Sequence, residues 1–126
     1  MSGALLRRVA RVLLAVGMVA VGIAHFANPD PFVRIVPGYL PAPLVLVYVS
    51  GAAEIAGGLG LLVPRLRRLA SYGLIALYVA VFPANVHMAL HDIQLQPGGD
   101  LPQWAMWARL PLQAVLIAYA WWVGRD

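Results

Sequence analysis

The chain contains no cysteine, which excludes disulfides, thiolate nucleophiles, CxxC redox pairs and iron–sulfur ligation by its own side chains. Any redox role needs a borrowed cofactor. Charge is equally scarce: Asp, Glu, Lys and Arg make up 11% of the 126 residues, against roughly 25% in soluble domains. Also missing are a Gly-rich phosphate loop, a GxSxG elbow, an H-E-x-x-H zinc motif and a pair of carboxylates on one face. Nucleotide hydrolysis, esterase and zincin chemistry therefore have no support. Apolar residues, in contrast, account for 62% of the chain, more than a single small domain can hide from water. The cover this predicts is the lipid bilayer.

Four runs approach the ~20 apolar residues a membrane-crossing helix needs, at about 9–27, 44–63, 69–90 and 104–124. They predict an all-α membrane protein, a single four-transmembrane-helix bundle. Proline-rich 28–43, the basic turn 64–68 and polar 91–103, with Pro97-Gly98-Gly99-Asp100, connect them. The net charge of +4 does not point to nucleic acid, because all nine basic residues are Arg and most cluster between the apolar runs. Arg7, Arg8 and Arg11 precede the first run, Arg65, Arg67 and Arg68 fill the basic turn, and Arg125 follows the last. The opposite loops hold Arg34 against Asp30, Asp92 and Asp100. Positive-inside places both termini of this multi-pass membrane protein in the cytoplasm. A cleaved signal peptide ending near Gly22-Ile23-Ala24 is the competing reading of the first run.

Asp30 before Pro31 reads as an N-cap and first-turn pair, so residues 31–36 are expected to form a short helical turn, either a lid or a stiff connector dipped into the headgroups. Ala52, Ala56 and Gly60, with Ala53 and Gly57 on the next stripe, offer a close packing surface on the second span. Gly17, Ala20 and Ala24 offer a weaker one on the first.

An ionised side chain in hydrocarbon costs at least ~2.5–3.5 kcal/mol on insertion scales, so each demands a reason. Glu54 lies close to the midplane of the second span, and Arg109 about 7–8 Å below the outer interface in the fourth. An Arg109–Glu54 pair is the economical arrangement, read either as part of a functional site or as a structural pair that fixes register. Helix direction brings His25, Asn85 and Gln113 to the same layer in the outer half. Asn85 and His87 lie about 200° apart on the third span, and Asn85 is the one expected to face inward. Pro83 and Pro111 each free a backbone carbonyl at comparable depth. His87 and His91 have the i, i+4 spacing of metal ligands, with His25 or Asp92 as candidates to complete a zinc-type site, but no carboxylate or thiolate has the expected helical spacing and no metal site is assigned.

In order along the chain stand Gly22-Ile23-Ala24-His25-Phe26, Asn28-Pro29-Asp30-Pro31-Phe32, Ser50-Gly51-Ala52-Ala53-Glu54, Phe82-Pro83-Ala84-Asn85 and Arg109-Leu110-Pro111-Leu112-Gln113. This succession resembles the DoxX family of small bacterial membrane proteins. The resemblance implies a four-helix membrane bundle and a redox association, since that family is related to the membrane subunit of a thiosulfate:quinone oxidoreductase and to a component of a membrane-bound thiol and peroxide defence complex. The positions that carry it over are His25, Glu54, Asn85, Arg109 and Gln113. The expectation is a quinone-like ligand bound by these residues, with an oxidoreductase as partner protein. The other expectation is a scaffold or assembly subunit, with homo-oligomers open to either.

Overall fold

A computed structural model describes residues 2–91 and 102–125. Five helices follow one another: α1 (Gly3–Ala27), α2 (Asp30–Arg34), α3 (Pro43–Leu62), α4 (Arg67–His91) and α5 (Gln103–Val123). No strand occurs among the described residues. α1, α3 and α4 are each long and apolar enough to cross a membrane. α5 has 21 residues, but Arg109, Pro111 and Gln113 dilute its apolar character. The loop expected at 91–103 falls mostly on 92–101, outside the described residues.

Local chemistry sets the helix ends. Ser2 Oγ accepts from Leu5 N at 3.1 Å, starting α1 ahead of its apolar run, so Arg7, Arg8 and Arg11 lie on the helix and do not precede it. α1 stops at Asn28, where Pro29 and Pro31 follow. α2 forms as expected, but with Pro29 as its N-cap; Asp30 sits in the first turn and makes no capping bond. The short helix is closed instead by backbone bonds from Phe32 and Val33 to the Pro29 carbonyl. Ala42, with φ of 49°, turns the chain into Pro43 at the start of α3. Arg67 Nε donates to Leu61 O at 3.1 Å, satisfying a carbonyl at the end of α3.

Sequential helices run antiparallel, with the most extensive contact between α1 and α3, followed by α4 with α5 and α3 with α4. The α1–α3 crossing is as close as expected, but other residues make it. A Cβ at Gly22 would stand 2.6 Å from Gly51 O, one at Gly51 2.7 Å from His25 Cβ, and one at Gly58 2.8 Å from Ala15 O. Ala52, Ala53, Ala56 and Ala20 are exposed, and Gly17 faces open space. The buried face of α3 instead follows Val47, Gly51, Glu54, Gly58 and Leu61, the alternating four-and-three spacing of helices packed side by side. Gly57 and Gly60 do serve as contacts, but toward Leu74 and Ala70 of α4.

Along α4 and α5 the apolar core is split. Leu14, Ala15, Leu61, Leu74, Tyr78, Ala120 and Val123 fill the end that carries the termini. Met88, Ala89 and Met106 form a second cluster toward the other end, with Ile35 against it. Asn85 and Gln113 are buried between the two clusters on their helices. α1 and α5 meet sparsely, through Arg11 to Val123 O (2.7 Å) and Arg125 O (2.9 Å) and through Tyr119 to Ala10 O (2.6 Å).

Candidate functional site

The five expected residues fall into two groups. His25 and Glu54 occupy the α1–α3 interface directly beside the Gly22–Gly51 crossing, where the missing side chains let the helices approach. His25 Nδ1 lies 2.8 Å from Val21 O one turn back, which makes it the donor nitrogen and points Nε2 at Glu54 Oε1, 3.6 Å away. The two residues are only 7% and 9% exposed. Phe32 of α2 covers the imidazole with a stacked ring, centroids 3.8 Å apart and planes inclined by 18°. The second Glu54 oxygen, Oε2, is buried and has no hydrogen-bond partner.

The other group spans α4 and α5. Asn85 Nδ2 donates to Gln113 Oε1 at 3.0 Å, and Gln113 Nε2 donates to Tyr78 O at 2.9 Å. Asn85 is thus buried, while His87 is half-buried with its ring 4.4 Å from that of His91. Among the described residues no group of three or more potential metal ligands gathers there or elsewhere. Arg109 Nη1 donates to Met88 Sδ at 3.7 Å.

The Arg109–Glu54 pair is therefore corrected to His25–Glu54. The reason is azimuth. Glu54 lies on the α3 edge that Gly51 and Gly58 press against α1, so its nearest base belongs to α1. Arg109 stands on α5, which packs on α4, and its side chain meets a buried methionine.

Three contributors escaped the sequence reading. Phe32 stands in the sequence only as the end of the Asn28-Pro29-Asp30-Pro31-Phe32 segment, with nothing to mark it as a cover for His25. Tyr78 is one tyrosine among several in the sequence; its hydroxyl donates to Met18 Sδ at 3.1 Å, joining α4 to α1. Arg11, counted with the topology-setting arginines, is 8% exposed and locks α1 to the end of α5. Its offset of four from Arg7, one turn deeper into the apolar run, is the available signal. A groove of about 330 Å³ also runs between α4 and α5, lined by Tyr78, Phe82, Leu110, Gln113 and Ile117, and Gln113 is its polar contact with the Asn85 group.

Chemically, the α1–α3 site sets Glu54 Oε1 3.6 Å from His25 Nε2, a pair that needs one proton between them because Nδ1–H is spent on Val21 O, and it leaves Oε2 over. Such a pair can accept a hydrogen bond from a hydroxyl or pass a proton to or from it. A family model described as a domain of unknown function, DUF8561, matches residues 14–124, a stretch that includes every residue of both groups. No curated protein and no solved structure matches the chain.

Proposed function

The chain belongs to the DUF8561 family, and from that premise we propose that it is a small-molecule-binding subunit of a membrane redox or oxidative-stress system. In this reading α1, α3, α4 and α5 form a four-helix transmembrane bundle in a bacterial inner membrane. The arginine-bearing end, with both termini, faces the cytoplasm, in keeping with seven of nine arginines at that end. The resemblance to the DoxX family supports the redox association and a quinone-like ligand.

The observation that carries the reading is the unpartnered Glu54 Oε2. A buried carboxylate oxygen without a donor is costly, and intramembrane ionisable groups ordinarily mark ligand or proton paths. The hydroxyl of a quinol-type head supplies the missing donor, so the residues fit that class of ligand. Glu54 and His25 hold the head beneath Phe32, and Glu54 is the proton-exchanging group. Asn85 and Gln113 form a group of their own on α4 and α5, committed to each other and to Tyr78 O. Arg109 retains N–H donors for a polar substituent, since its partner is a thioether. When bound, the quinone-like group supplies the redox chemistry that this cysteine-free chain lacks.

One observation favours a second reading. The His25–Glu54 pair sits beside the close Gly22–Gly51 crossing, where an ion pair also fixes register, as expected of a scaffold or assembly subunit bound to a partner protein or to further copies of itself. Native mass spectrometry of the gently extracted protein separates the two. The binding reading expects a co-purifying quinone or similar amphiphile that Glu54→Gln loses while circular dichroism stays helical. A ligand retained by Glu54→Gln, or a ligand-free protein that Glu54→Ala merely unfolds, selects the scaffold.

A further inference from the structure

The C-terminal end of α4 carries two imidazoles that neither the α1–α3 site nor the Asn85 group uses. His87 and His91, one turn apart, set their ring centres 4.4 Å from each other with planes inclined by 50°. The turn that bears them is held firmly from behind. Met88 and Ala89 are fully buried, and Gln103 Nε2 at the start of α5 donates to Ala89 O at 2.7 Å. His91 is exposed and His87 half-buried, so solvent reaches the pair. Among the described residues no hydrogen bond or ion pair engages either ring, which leaves their nitrogens open to a ligand. A helix end of this polarity, with its unpaired carbonyls, also favours a cation.

We infer that His87 and His91 form a chelating site for a divalent transition-metal ion of the Cu(II) class, with water in its remaining positions. A metal about 2.0 Å from a ring nitrogen lies about 3.2 Å from that ring's centre, so two imidazoles at a right angle about it have centres about 4.5 Å apart, and at the tetrahedral angle about 5.2 Å. The observed 4.4 Å matches the right angle. Right-angled nitrogen ligands suit the tetragonal ions Cu(II) and Ni(II), whereas structural zinc asks for four protein ligands and Cu(I) for thiolate or thioether. Two protein ligands are what this turn offers: no group of three gathers among the described residues, and Asp92, outside them, is not counted. Of the first-row divalent ions, Cu(II) binds such a nitrogen pair most tightly. The pair shares no residue with the proposed quinone-like ligand's site, so each can fail without the other.

The test titrates the full chain, free of any histidine tag, with Cu(II) in a neutral detergent at neutral pH. One equivalent is expected to bind with an electron paramagnetic resonance spectrum showing two imidazole nitrogens, and His87→Gln and His91→Gln are each expected to weaken it by at least about tenfold. His91 is exposed, so His91→Gln leaves the packing intact. A second readout needs no variant. Bound Cu(II) is expected to slow the reaction of diethyl pyrocarbonate with His87 and His91 together and to leave the rate at His25 unchanged. Cu(II) held equally well by His91→Gln, a spectrum with one imidazole nitrogen or with three, or protection that omits either His87 or His91 each overturns the assignment.

Discussion

At Gly51 the backbone of α3 comes so near α1 that a methyl group would meet His25 Cβ at 2.7 Å and Gly22 O at 2.9 Å. Neither neighbour can yield without shifting a helix. Gly51→Ala is therefore expected to cost about 1–3 kcal/mol, as overpacking does, and to disturb the His25–Glu54 pair beside it. Gly17→Ala, which meets nothing within 4 Å, is expected to be neutral or to gain up to about 1 kcal/mol of helix propensity. Unfolding the two variants side by side in detergent checks both signs. Glycine and alanine stripes occur on several faces of α3 at once, so small residues signal close approach without giving its phase: Gly57 and Gly60 meet α4, whereas α1 meets Gly51 and Gly58. The identity of the packing face depends on which positions recur at four-and-three spacing together with bulky Val47 and Leu61, and that pattern is plain only after the partner helix is in place.

Among the elements, α2 is the one whose role depends on a single contact. Its five residues bury no side chain fully, yet Phe32 stacks on His25. A stacked ring pair is worth about 0.5–1.5 kcal/mol beyond its buried area, so Phe32→Ala leaves the bundle folded while uncovering the imidazole. His25 is then expected to react faster with diethyl pyrocarbonate, with the rates at His87 and His91 unchanged; site-resolved mass spectrometry reads all three in one sample. An unaltered His25 rate would show that α2 does not shield the site. The long helices were legible because apolar runs of membrane-spanning length leave little choice of conformation. Their starts were not, since Ser2 capping and the helical tolerance of Arg extend α1 and α4 past the apolar limits. Asp30-Pro31 correctly signalled a short helix, though Pro29 took the capping position because its own carbonyl closes the turn.

For the molecule as a whole, depth along the bundle was readable and neighbour relations were not. Counting residues from an interface gives the level of Glu54, Asn85 or Arg109, but a one-dimensional pattern does not say which helix stands beside which. That is why Asn85 was rightly turned inward and Glu54 wrongly given Arg109. The closing of α1 onto α5 shows the same limit: beside the Tyr119 bond to Ala10 O, it rests on Arg11, which reaches the carbonyls of Val123 and Arg125. Arg11→Met keeps much of the apolar stem and removes both bonds. Hydrogen bonds from a charged group contribute about 1.5–3 kcal/mol, and a loss of that order in an unfolding experiment is expected. Arg8→Met, at an exposed position one turn away, is the comparison and is expected to be nearly silent.

The pairing of helices also has a meaning in time. Contacts are most extensive between α1 and α3, then between α4 and α5. A chain made from its N-terminus can complete the first pair, with His25 already facing Glu54, before Arg109 has been translated. The second pair then docks through Gly57 and Gly60, and only when the last residues emerge do Val123 and Arg125 offer Arg11 its carbonyls. The contact of α1 with the end of α5 is thus the last of these to become available, a latch that waits for the whole bundle to be made.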